Sequence, residues 1–151
     1  MLDYLLQNNI REWDHLIANY EAEAKALKVP TENTPYTLSN FNWAIEDLYS
    51  RAIFDYNRTR TNFDAIKRFL KTVLEDAYTG SNDLTRKAAG IQRARAYPAP
   101  EFYHQQTVNL FELEMQFSYH YYMMEGVVKS IEAKQAAKVT NNSLLKMEKE
   151  V

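Results

Sequence analysis

Two Glu-x-x-His pairs, Glu12–His15 and Glu101–His104, and a run of cations from Arg58 to Arg95 are the residues whose types and spacing suit chemistry. On a helix, positions i and i+3 share a face, so each pair would present a carboxylate beside an imidazole. Di-metal carboxylate bundles use two such pairs plus one Glu from each of two further helices, and Glu46, Glu75 and Glu112 are available for that role. The local context argues otherwise. Glu101 follows Pro100, in what reads as the first turn of a helix, where an acid complements the helix dipole. Glu12 and His15 flank Trp13 and so point away from that helix's apolar stripe. Two surface pairs are a better account than a di-metal bundle, and no cofactor is expected. His120, between Tyr119 and Tyr121, reads as a packed or interfacial histidine. The aromatic and methionine run Phe117–Gly126 reads as packing surface. The chain has no cysteine, hence no disulfide framework, thiolate metal site or cysteine nucleophile. It has no Gly-rich phosphate loop and no Ser–His–Asp set with supporting context, so an enzyme is not expected.

The cations form a more coherent pattern. Residues 58–95 hold 9 basic and 4 acidic residues, net +5, whereas residues 1–57 are net -5 and residues 96–151 net -2. Arg60, Lys67 and Lys71 fall at i, i+7 and i+11, one flank of a helix, with Arg68 pointing outward and Arg58 on the other flank. Arg86, Gly90, Arg93 and Tyr97 fall at i, i+4, i+7 and i+11 of a second, shorter helix, with Lys87 to one side. That face offers two guanidinium groups, a gap at glycine where backbone can be approached, and a ring. Leu84, Ala88 and Ile91 lie opposite and are expected to dock on the rest of the protein. Phosphates need cations and unpaired bases stack on aromatic rings, and each counterion released would steepen the salt dependence. The competing reading is a solvated helix face that merely carries Lys and Arg.

The stretch that positions these residues is Ser39–Gly80, free of Gly and Pro until its last residue. Phe41, Ile45, Leu48, Ala52, Tyr56, Thr59, Phe63, Ile66, Leu70, Val73 and Ala77 recur every three or four residues, a single helix stripe with Thr59 as a polar intruder. Such a helix is roughly 60 Å long, against a radius of gyration of about 15 Å for a compact globule of this length, so a rod or hairpin is expected. A first helix, 3–28, has Leu2, Leu6, Ile10, Trp13, Ile17, Tyr20, Ala24 and Leu27 on one face and acids opposite. Pro30 and Pro35 make 29–38 a linker, and Ser39 or Asn40 would cap the long helix. Asp83 would cap the short basic helix, about 84–97. Pro100 would open a last helix to about Val139, with Phe102, Gln106, Leu110, Leu113, Phe117, Tyr121, Met124, Val128 and Ile131 as its main stripe and Phe111, Met115, Tyr119 and Tyr122 widening it. Gly126, inside that helix, suggests a close helix crossing. Residues 140–151 read as a frayed tail.

These elements define an all-α protein of one helical domain: an elongated antiparallel hairpin (39–139) of long helices joined by a basic connecting segment (79–100), with an additional N-terminal helix. The broad aromatic stripe of the last helix needs more cover than two helices give, which predicts an oligomer. A hydrophobic share of 46% and a charged share of 25% are those of an ordinary folded protein. No run approaches the 18 or so apolar residues of a membrane span, and Asp3, Gln7, Asn8 and Asn9 interrupt any signal-peptide core. The expectation is a cytoplasmic protein without membrane partners. The sequons at Asn57 and Asn141 are set aside on that basis.

Lys71-Thr72-Val73-Leu74, followed by Tyr78-Thr79-Gly80 and Asp83-Leu84-Thr85 between two long helices, resembles the phage recombination mediators of the UvsY type over about Leu48–Val139. The resemblance implies a non-enzymatic accessory protein that binds single-stranded DNA as a homo-oligomeric ring. It also implies that the protein helps load a RecA-like recombinase onto DNA coated by a single-strand-binding protein, in the host cytoplasm. Arg60, Lys67, Lys71, Arg86 and Lys87 surround the matching turn and would be the phosphate contacts. Arg93 and Tyr97 join them from the helix-face argument. The acidic first helix and the tyrosine density depart from that family. The alternative is a phage structural, assembly or adaptor helical protein that binds no nucleic acid.

Overall fold

The computed structural model describes residues 1–7, 10–32 and 34–150, side chains excepted at 10, 139–146 and 148–150. The elements are α1 (Leu2–Gln7), α2 (Ile10–Ala26), α3 (Pro35–Asp76), α4 (Asp83–Arg95), β1 (Tyr97–Pro98), β2 (Thr107–Val108) and α5 (Leu110–Glu150). The protein is mostly helical, and no described helix is long and apolar enough to cross a membrane.

The helix starts are set by side chains that accept the free backbone N–H groups. Thr34 and Thr37 cap α3 reciprocally: the Thr37 N–H donates to Thr34 Oγ1, and the Thr34 N–H to Thr37 Oγ1, both at 3.2 Å. Pro35 is then the first helical residue, where its missing N–H has no bond to lose. The long helix therefore begins four residues before the expected cap at Ser39. Asn82 rather than Asp83 caps α4, its Oδ1 accepting from the Thr85 N–H at 2.8 Å. Gly80 adopts φ 146° in the turn before it, a region that favours glycine.

The largest departure from the expected order lies between α4 and α5. Residues 99–106 form a loop closed by an antiparallel pair, Tyr97 opposite Val108 and Pro98 opposite Thr107, with the Ala99 N–H donating to Gln106 O at 3.0 Å. Pro98 and Pro100 remove the backbone donors a helix would need here. The last helix starts instead at Leu110, capped by Asn109, whose Oδ1 accepts from the Phe111 N–H at 3.1 Å. Phe102 is consequently 54% exposed. At the other end α5 runs to Glu150, past the expected stop at Thr140. The expected first helix comprises α1 and α2; residues 8 and 9 lie outside the described residues.

The chain divides into two compact units, each built from separated stretches. The first comprises 1–14 and 58–121, the second 15–57 and 122–151. In the first unit, Leu2 and Leu5 of α1, Ile66, Leu70 and Val73 of α3, and Ala94 and Val108 pack with Leu110, Leu113 and Phe117 of α5. In the second, Ile17, Tyr20 and Ala24 of α2 meet Phe41, Ile45, Leu48 and Ala52 of α3 and Met124, Val127, Val128 and Ile131 of α5. Here Tyr20 donates its hydroxyl to Asp55 Oδ2 at 2.5 Å. Burial and the neighbouring carboxylate both push the Tyr20 phenol well above its usual range. Lys134 donates to the carbonyls of Ala24 and Leu27, supplying partners and positive charge at the C-terminus of α2.

Two helical glycines respond oppositely to substitution. A Cβ at Gly90 would stand 3.0 Å from the carbonyl oxygen of Leu74, whereas a Cβ at Gly126 meets nothing within 4 Å. The close crossing expected at Gly126 is absent within the described residues and occurs at Gly90. Gly126→Ala is expected to stabilise by about 1 kcal/mol, the helix-propensity difference, and Gly90→Ala to destabilise by about 1–2 kcal/mol through overpacking. Urea titration of the two variants checks the opposite signs; equal shifts would place both glycines in open space.

Candidate nucleic-acid interface

α4 packs on α3 through its two smallest buried side chains. Gly90 and Ala94 are buried, while Leu84 is 80% and Ile91 37% exposed. The expected orientation is therefore corrected: the Leu84–Ala88–Ile91 face does not dock, and Gly90 offers no gap to a ligand. The reason is distance. Only a face without bulk lets the α4 backbone come within contact of the Leu74 carbonyl, and such an approach buries more of α3 than a leucine face would allow.

That rotation places the seven sequence-predicted residues in two groups. Lys67, Lys71 and Lys87 line a groove of about 830 Å³ whose apolar wall includes Leu70, Leu74, Tyr78 and Ile91. Glu75 and Glu114 lie on the same rim. Lys71 Nζ stands 3.9 Å from Glu75 and Lys87 Nζ 3.4 Å from Asp83. These pairs are exposed and one helix turn apart, so they hold the ammonium groups only loosely. Lys67 Nζ sits 4.6 Å above the Phe63 ring.

Arg60, Arg86, Arg93 and Tyr97 do not line the groove. Arg86 Nε donates to the Gly80 carbonyl at 3.0 Å, and its guanidinium lies 5.7 Å from the centre of the Tyr78 ring. The Tyr78 hydroxyl donates to Asp83 Oδ1, which fixes the ring beside the turn. Arg93 lies 5.1 Å from the centre of the half-buried Tyr97 ring, which is in turn held edge-on by Phe69 at 5.2 Å. Each end of α4 thus carries an exposed guanidinium against a tyrosine, Tyr78 held by its hydrogen bond to the Asp83 carboxylate and Tyr97 by packing on Phe69. Arg60 is exposed on α3. Sequence reasoning missed Tyr78 as a site residue. Its signal was its place two residues before Gly80, where a ring must stand beside the start of the next helix.

The other candidates resolve differently. Glu101 and His104 fall in the 99–106 loop, so no helix brings them to one face, and the His104 ring lies tilted beside that of Tyr103, 4.4 Å between centres. Among the described residues no group of three or more His, Asp or Glu could hold a metal. His120 is buried at 1% exposure, with Nε2 3.1 Å from Asp14 Oδ1. Its ring lies 6.2 Å from that of Trp13, which carries the Arg58 guanidinium 4.9 Å above it. Nδ1 of His120 is buried without a hydrogen-bond partner. Burial lowers the His120 pKa, opposed by Asp14.

Comparison with family models, with curated proteins and with solved structures finds no match to this chain.

Proposed function

We propose that this protein is a non-enzymatic accessory protein that binds single-stranded DNA along α4 and the adjoining end of α3. One observation carries the reading: the two arginine–tyrosine pairs, Arg86 on Tyr78 and Arg93 on Tyr97, at the two ends of the exposed α4. A guanidinium beside a supported ring suits a nucleotide, because the cation takes the phosphate and the ring face takes an unpaired base. Arg60 adds charge along α3. The recombination-mediator role, with a RecA-like recombinase and a single-strand-binding protein as partners, is the narrower form of the proposal. Within the first unit, the Phe63–Tyr121 stack at 5.8 Å is a contact that two antiparallel long helices of an elongated hairpin would make.

The test is anisotropy of labelled oligo-dT at low and moderate salt. Binding is expected to weaken as salt rises. The Arg86→Ala/Arg93→Ala variant is expected to bind about tenfold or more weakly and with a shallower salt dependence, since two phosphate contacts and the counterions they release are lost. Absence of binding at low salt, or an unchanged double variant, would overturn the reading. The non-nucleic-acid alternative, an assembly or adaptor protein, draws its support from apolar side chains left exposed on α5, where Met115, Tyr119 and Tyr122 are 55–67% exposed.

A further inference from the structure

We infer that the outward face of α3 is the docking surface for a partner protein that presents a cationic, amphipathic helix. Tyr36, Trp43 and Phe54 are 76%, 77% and 65% exposed, and they stand seven and eleven residues apart. Those spacings are close to two and three whole helical turns. The three rings therefore form one row, on the side of α3 opposite the buried Phe41, Ile45, Leu48 and Ala52. The inference goes beyond the nucleic-acid reading and uses none of its residues.

The shape of the row sets the shape of its occupant. From Tyr36 to Phe54 it follows about 27 Å of helix, or about five turns, all within the second unit. Asn40 and Ser50, between the rings on that face, are short and exposed. They leave gaps into which the side chains of a helix lying alongside can pack, ridge into groove. An aromatic side chain buries about 150–250 Å² when fully covered, so rings this exposed offer about 300–550 Å². Doubled for the partner's side, that is a transient interface rather than a permanent one.

Charge selects the occupant. Glu46 and Asp47 follow Trp43 by three and four residues, one turn along on its own side of the helix. Arg51, the single cation of α3 between Pro35 and Asn57, is already held by two carboxylates, Glu23 at 3.0 Å and Asp47 at 3.1 Å. Glu23, Glu46 and Asp47 against Arg51 leave this face with two negative charges in excess. Glu46 is exposed and enters no ion pair among the described residues. A lysine or arginine laid over Trp43 therefore meets the negative face of an indole and the Glu46 carboxylate together. The same charges turn other occupants away. A phosphate backbone or an anionic lipid surface is repelled, and a second copy in two-fold contact sets Glu46 and Asp47 against their own equivalents.

The probes are two synthetic helical peptides of about five turns. One is built of leucine and lysine with leucine recurring every three or four residues; the other has glutamate in place of lysine. Each is titrated into the full chain. Trp13 is 4% and Trp43 77% exposed, so the red edge of the tryptophan emission reports Trp43. The lysine peptide is expected to shift that emission to shorter wavelength with a Kd of about 1–100 μM, and to bind several-fold more weakly at high salt. The glutamate peptide is expected to leave it unchanged. Trp43→Ala/Phe54→Ala and Glu46→Lys are each expected to weaken binding of labelled lysine peptide about tenfold, read by anisotropy. These residues are exposed, so circular dichroism of the variants should match the parent, and Arg86→Ala/Arg93→Ala should bind the peptide as the parent does. No binding of the lysine peptide at low salt, equal binding of the two peptides, or binding indifferent to both variants would overturn the proposal. Self-association of the parent that is lost in Trp43→Ala would assign the row to a second copy and overturn it as well.

Discussion

Phe117→Ala is expected to lower the unfolding free energy by about 3–5 kcal/mol, the usual range for emptying a buried phenylalanine site. Phe117 is 1% exposed and belongs to the cluster formed by Ile66, Leu70, Leu110 and Leu113. Its ring also meets the edge of His120 at 6.1 Å. These neighbours come from two long helices whose backbones are fixed over many turns, so the cavity has little room to collapse. Phe102→Ala is the matched control. In the sequence it sits on the same helical stripe as Phe117, but it lies exposed in the 99–106 loop, and its removal is expected to change stability by less than about 0.5 kcal/mol. Urea denaturation of both variants measures the contrast. A loss under about 1 kcal/mol for Phe117→Ala would mean that this cluster is not close-packed.

Acidification is expected to destabilise the protein before its carboxylates titrate, because His120 is buried neutral. With Asp14 ionised, Nε2 carries the proton and donates to the carboxylate at 3.1 Å. Protonating Nδ1 would place a second N–H and a charge where no acceptor is present. Burial is the larger effect and Asp14, half exposed, only partly offsets it, so the folded pKa lies below the ordinary histidine value. The unfolded chain then binds a proton more readily than the folded one as pH falls. Stability is full above the unfolded value, near 6.5, and declines as pH drops from there toward the folded value. Its slope approaches about 1.4 kcal/mol per pH unit where only the unfolded histidine is protonated. Thermal unfolding from about pH 8 to about pH 5 should show this decline in the parent. His120→Leu should remain flat until the carboxylates titrate near pH 4. Parallel profiles for the two proteins would place the acid sensitivity elsewhere.

Legibility in the sequence differed between elements for physical reasons. The stripe of α3 was readable because forty residues without Gly or Pro leave one helical solution. Every residue assigned to it is buried or half-buried, Thr59 included. The start of α5 was not readable. Phe102 and Gln106 keep step with Leu110 by spacing alone, and the pairing of Tyr97 with Val108 that displaces them is a contact eleven residues apart. The face of α4 was read the wrong way round. Leu84 and Ile91 outrank Gly90 and Ala94 in hydrophobicity, but helix packing rewards close approach, and a glycine stripe wins when the partner surface is backbone. The candidate site inherited that error. Of the seven basic and aromatic residues, Lys67, Lys71 and Lys87 share a groove, whereas the packing face of α4 decides that Arg86 and Arg93 lie against tyrosines at its opposite ends.

The interleaving of the two units has a consequence for synthesis. Residues 15–57 leave the ribosome early, but the apolar face they build with Ile17, Ile45 and Leu48 is completed only by Met124–Ile131. At about 5–20 residues per second, the gap between Asn57 and Ile131 lasts roughly 4–15 s. The stretch 58–121 can meanwhile gather with the already emerged 1–14. Translation therefore favours closing the first unit before the second. The nascent chain carries an uncovered aromatic and aliphatic surface for seconds, the interval in which a chaperone or a neighbouring nascent copy would find it.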